Sequence, residues 1–120
     1  MAKRKTKLKT GRFYIMYGGN AHPAYIYKKT EYGTYLAIKI GTTFRKGMIA
    51  IHTIQKDYLI NYVHKRPFEG TRKDFGDKEL LGMNFDFEDQ SILNEIKNRK
   101  SRLTKSAKKV YENKKMPSSD

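Results

Sequence analysis

The stretch GGNAHPAYIYKKTEYGTYLAIKIGTT (residues 18–43) decides how this chain folds. A two-glycine loop runs into His-Pro, two tyrosine-rich runs follow, and Gly-Thr-Thr closes the segment. Proline at 23 cannot donate to a strand ladder, so it marks the start of a strand. The run 23–29 is rich in β-formers, 30–33 reads as a turn, and TYLAIKI (34–40) alternates. Leu36, Ile38 and Ile40 fall on one face, with Tyr35, Ala37 and Lys39 on the other. The segment therefore predicts two antiparallel strands. It leaves open why a histidine sits at the loop exit and two threonines at the far end.

Working outward, RFYIMY (12–17) alternates as a preceding strand, MIAIHTI (48–54) as a fourth, and YLINYVH (58–64) as a fifth. A further short strand is predicted at 79–83. Short β-runs separated by turn signals every eight to twelve residues suggest a small barrel or a strongly bent sheet. At Asp86 the period changes. Ile92, Leu93 and Ile96 recur at helical spacing, acids precede bases along the segment, and Asp86 is a candidate N-cap. A second helix is predicted from about residue 101, with Leu103, Ala107, Val110 and Tyr111 on one side. The expected fold is mainly β with C-terminal α: a small barrel of about five or six strands followed by one or two helices. The expected organisation is a flexible basic tail over 1–11, a barrel with the first helix over 12–100, and a basic helix and tail over 101–120.

The chain has 120 residues, enough for one modest core, and carries a formal charge of +14. The charge is uneven. Residues 1–12 hold six Lys/Arg and no acid, and residues 97–120 hold nine Lys/Arg against two acids, so the middle is nearly neutral. Basic ends attract polyanions and speed encounter with them; a solubilising tail and a solvated helix face would read the same way. Cysteine is absent, which excludes disulfides and thiolate metal sites. No apolar run approaches the roughly 18 residues of a membrane span, and the basic N-terminus lacks a signal peptide's apolar stretch. A cytoplasmic protein with no membrane association is expected.

The three histidines (His22, His52 and His64) show no metal-ligand spacing, and no nucleophile elbow, P-loop or dinucleotide fingerprint is present. Neither a metal nor a cofactor is expected. His22 stands at a loop-to-strand junction, where an imidazole can exchange a proton near neutral pH. Thr42 and Thr43 follow the end of another strand, where hydroxyls and backbone N–H groups can hold a phosphate oxygen. Turn chemistry accounts for the same residues: His22 capping a turn and the threonines bonding a turn backbone. The segment 62–82 interleaves His64, Lys65, Arg66, Arg72 and Lys73 with Pro67, Phe68 and Phe75. Bases among aromatics suit a single-stranded nucleic acid. The acids Glu69, Asp74 and Asp77 suit a solvated connection equally well.

The order HPAYIYKK … YLAIKIGTT resembles the front half of the MazF/PemK-type toxin family, over residues 9–54. Members carry an Arg-Pro-Ala strand start and later a Thr-Ser or similar pair. His22-Pro23-Ala24 and Thr42-Thr43 match those two places here. The resemblance implies an SH3-like barrel with a C-terminal helix, a homodimer, an antitoxin partner, and metal-independent cleavage of single-stranded RNA through its 2′-hydroxyl. It implies catalytic roles for His22, Thr42 and Thr43. This chain departs from the pattern at His22, where the family has arginine. Arginine's fork holds phosphate, whereas histidine can act as acid or base. Arg12, Arg45 and Lys46 are candidates for the missing cation, and Asn20, Lys65, Arg66, Arg72 and Lys73 for further nucleic-acid contact. The alternatives are a non-catalytic RNA- or DNA-binding module and an interaction module for an acidic protein, in a mobile element or phage.

Overall fold

A computed structural model describes residues 7–17, 21–54 and 58–115. The chain is mainly β with C-terminal helices. Nine strands run β1 (Arg12–Met16), β2 (His22–Lys29), β3 (Tyr35–Gly41), β4 (Met48–Ile54), β5 (Tyr58–His64), β6 (Phe68–Gly70), β7 (Phe75–Glu79), β8 (Asn84–Phe85) and β9 (Arg102–Leu103). The helices are α1 (Gln90–Lys97) and α2 (Lys105–Lys115). The sheet order is β7-β1-β2-β3-β5-β4-β8, and β6 joins β3 as a branch that carries β9. All pairings are antiparallel except β6 with β9. The strand count exceeds the expected five or six because β6, β8 and β9 are only two or three residues long.

β3 organises the body. Its first half pairs with β6 (Tyr35↔Gly70 to Ala37↔Phe68), and its end pairs with β5 (Ile40↔Val63, Gly41↔Tyr62). Both of its faces are used. Tyr35 and Ala37 join Tyr14, Met16, Ala24, Ile26 and Phe75 in one core cluster. Ile38 and Ile40 join Phe13, Ile51, Val63, Leu93 and Ile96 in the other. The second cluster is closed by α1, whose buried Leu93 and Ile96 fall at helical spacing.

Two expected element boundaries are corrected here. Residues 80–83 are not a strand; Phe75–Glu79 pairs with β1 instead, and Gly82 turns the chain at φ +79°. The second helix begins at Lys105 rather than 101. The preceding residues are held by β6 through Arg102 N–H to Pro67 O (2.8 Å) and Thr104 N–H to Glu69 O (3.0 Å). Two residues of the 1–11 segment pack on the body. Leu8 is only 6% exposed and lies in the first core cluster. Its N–H donates to the Tyr35 hydroxyl (3.3 Å), and the Lys9 N–H donates to that of Tyr14 (3.0 Å). Residues 1–6 lie outside the described residues, as do 116–120. Residues 101–111 pack on the sheet. Buried Glu69 accepts from the hydroxyls of Thr34 (2.5 Å), Ser101 (3.1 Å) and Tyr111, which ties α2 to β3 and β6. Asp74 Oδ2 accepts from the hydroxyls of Thr104 and Ser106, each at 2.7 Å, and from Thr71 N–H at 2.8 Å.

Candidate functional site

A cavity of about 150 Å3 opens at the end of β3, lined by His22, Lys39, Gly41, Thr43, Arg45, Met48 and His64, and by Ile40, whose side chain is buried in the second core cluster. Strand register explains the convergence. β3 lies between β2 and β5. Alternation sends Lys39 and Gly41 to the face opposite Ile38 and Ile40. Extending the Ala24↔Lys39 pairing sets His22 across from Gly41. Extending the Ile40↔Val63 pairing by one residue sets His64 across from Lys39. The two imidazoles thus flank the lysine on one face. The loop at 42–47 supplies Thr43 and Arg45. A turn closes this loop: Met48 N–H donates to Arg45 O at 3.0 Å, and Gly47 takes φ +88°, a conformation that side chains rarely adopt.

The cavity's charge is one-sided. Among the described residues, its lining holds two imidazoles, an ammonium and a guanidinium, and no carboxylate. Burial lowers the pKa of His22, and the nearby charges of Lys39 and Arg45 lower it further. His64 is lowered first by burial and then by Arg102, Lys39 and His22. Lys39 is lowered by burial. Each shift opposes adding another cation, so the site favours an anion that neutralises its neighbours. The Phe68 ring supports two of the lining residues: Lys39 Nζ lies 5.6 Å from its centroid, and the His64 ring meets it edge-on at 5.3 Å. Among the described residues no group of three or more His, Asp or Glu comes together. The chemistry available is phosphate binding with two proton-transfer groups in place.

His22, Thr43 and Arg45 are therefore brought together, while Thr42 is exposed on the same loop and does not line the cavity. Lys46, Lys65 and Lys73 are exposed. Arg12 pairs with Glu79 at 3.7 Å beside a different cleft. Arg66 is engaged within the fold, its Nε donating to Lys100 O (2.8 Å) and its Nη2 to Ser101 O (3.1 Å). The Arg72 guanidinium, with 17% of its side chain exposed, bonds Phe75 O (3.0 Å) and pairs with Asp77 (2.8 Å). Asn20 lies outside the described residues. His52 stands apart from the cavity lining, with its Nδ1 3.1 Å from Asp89. Lys39 and His64 also line the cavity, and sequence reasoning placed neither with His22 and Thr43. No helix among the described residues is long and apolar enough to cross a membrane. Compared with known families, curated proteins and solved structures, the chain matches none.

Proposed function

We propose that the protein is a metal-independent endoribonuclease acting on single-stranded RNA. The observation that carries this reading is the pair His22 and His64 flanking Lys39 over one cationic cavity. One neutral imidazole takes the proton of the ribose 2′-hydroxyl, whose oxygen attacks the adjacent phosphorus. The other, protonated, gives its proton to the departing 5′-oxygen. The products are a 2′,3′-cyclic phosphate and a free 5′-hydroxyl. Lys39 and Arg45 face the charge that builds on the non-bridging oxygens, with the Thr43 hydroxyl as a further donor. The resemblance to MazF/PemK-type toxins supports the same reaction class. In this chain the arginine of that pattern is replaced by His22, and the cationic role passes to Lys39 and Arg45.

The test is incubation of the pure protein with single-stranded RNA in EDTA. Fragments ending in cyclic phosphate are expected, with a loss of about 100-fold or more in His22→Ala and in His64→Ala. Absence of cleavage, or unchanged cleavage by both variants, overturns the proposal.

A non-catalytic nucleic-acid-binding module is the second reading. It is favoured by the exposed Lys105, Lys108 and Lys109 of α2. It expects salt-sensitive binding without product. Because Leu8 belongs to the core, the basic tail is best tested by removing residues 1–6 alone.

A further inference from the structure

Beside the first cavity lies a second and larger one of about 480 Å3, and Lys39 lines both. Its other walls come from distant parts of the chain: Tyr17 after β1, Phe68 of β6, Leu103 of β9 and Lys105 at the start of α2. The volume falls within the range of small-ligand clefts. The chemistry differs from that of the first cavity. The apolar Met16, Phe68 and Leu103 line it with Tyr17, and Lys39 and Lys105 are its cations. Asp74 and Thr104 also line it, with Asp74 Oδ2 already accepting from Thr71, Thr104 and Ser106. Tyr17 is 51% exposed although it is a large aromatic residue. The Phe68 ring lines this second cavity and contacts Lys39 and His64, which line the first.

The geometry points to a nucleobase subsite: the second cavity takes the unpaired base of a nucleotide next to the phosphate held between His22 and His64. Tyr17, Phe68 and Leu103 offer the base an apolar and aromatic surface, and Lys105 meets the following phosphate. This rests on reading the first cavity as a phosphate site. A phosphate and its own base are joined through one sugar, so a strand anchored in one cavity delivers a base to the other. Aromatic walls accept any base because every base has a π-face, and a cation at the exit follows the backbone. The occupant is therefore single-stranded nucleic acid, not a duplex whose bases are already stacked.

The experiment uses the full chain and a fluorescently labelled single-stranded RNA carrying 2′-O-methyl groups, which binds without being cleaved. Tyr17→Ala is expected to weaken binding about tenfold while Tyr17→Phe keeps it. Replacing one base of the probe by an abasic sugar, scanned along the strand, should at one position erase the difference between Tyr17→Ala and wild type. Lys105→Gln, at an exposed helix start that no core contact depends on, should weaken binding and reduce its salt slope by about one. Unchanged binding in both Tyr17→Ala and Lys105→Gln overturns the subsite, as does failure of the wild type to bind. Cleavage is scored separately on unmodified RNA. Cleavage without Tyr17 dependence removes the subsite only, and Tyr17-dependent binding without cleavage removes the nuclease only.

Discussion

The Lys39 ammonium stands 5.6 Å from the centroid of the Phe68 ring. The same ring meets His64 edge-on. One aromatic side chain from a three-residue strand therefore sets both the cation and one imidazole of the cavity. Phe68→Leu keeps an apolar side chain of similar bulk but removes the π-face. A cation–π contact of this kind contributes about 1 kcal/mol, so the cleavage rate is expected to fall roughly five- to tenfold. NMR titration should show the His64 pKa moving with the substitution while that of His22 stays nearly fixed. Equal movement of both would mean that the ring acts on the fold rather than on the site.

The pH profile follows from the two histidines. Both are lowered from the ordinary imidazole value of 6.5, first by burial and then by neighbouring cations. One must be neutral and the other protonated for turnover, so kcat/KM should be bell-shaped with its maximum below pH 6.5. Lys39→Met removes a charge that lowers both, so both limbs should move to higher pH. The maximum should fall about 100-fold, because the cation facing the phosphate is lost as well. The same shifts act on stability. The unfolded chain takes up protons below pH 6.5 before the folded one does, so stability is full above that value and declines as pH falls through the lowered pKa values. Urea melts across this range should show smaller acid losses in His22→Gln and His64→Gln.

The hairpin and the next two strands were legible because alternation and turn residues agree there. That His22 and Thr43 lie near each other was legible because one segment carries both. Lys39 shares its face of the strand with Tyr35 and Ala37, which are core. A lysine in a strand buried on both faces is the signal that was available. His64 reaches Lys39 only through the β3–β5 pairing, which skips a strand in sequence and leaves no local trace. β6 and β9 escaped for another reason. Two- and three-residue strands have no measurable period, and the Glu69 within one of them reads as a surface residue until its hydroxyl partners are known.

Gly70 is a further point where backbone space matters. A Cβ there would stand 2.8 Å from Asp74 Oδ2 and 3.2 Å from Phe75 Cε2. Asp74 cannot yield easily, because its Oδ2 holds Thr71, Thr104 and Ser106. Gly70→Ala is expected to cost about 1–3 kcal/mol in urea unfolding, by overpacking. A midpoint equal to wild type would show that the Asp74 network can shift without loss.

Glu69 is 5% exposed and accepts from three hydroxyls, those of Thr34 just before β3, Ser101 just before β9 and Tyr111 in α2. Glu69→Gln replaces an acceptor with an amide nitrogen that can only donate. At least one hydroxyl then loses its charged partner, at a cost of about 1.5–3 kcal/mol. Hydrogen exchange should localise the effect to α2, since Tyr111 is its tie to β6. Uniform acceleration across the sheet would refute a local role.

The Tyr27 hydroxyl is buried and finds no hydrogen-bond partner among the described residues. Its ring is still useful, since Lys97 Nζ lies 5.7 Å from the centroid. Tyr27→Phe keeps that ring and removes the unpaired group, so it should stabilise the protein by about 1 kcal/mol. Burial, and secondarily the Glu69 charge, push the Tyr27 pKa up to about 12. In the unfolded chain the phenol ionises near its ordinary value of 10, so the wild type loses stability as pH rises from 10 towards 12. Phenylalanine has no proton to lose. The advantage of Tyr27→Phe in thermal melts should therefore widen over that interval, and a constant or shrinking difference would show that the hydroxyl is solvated in the folded protein.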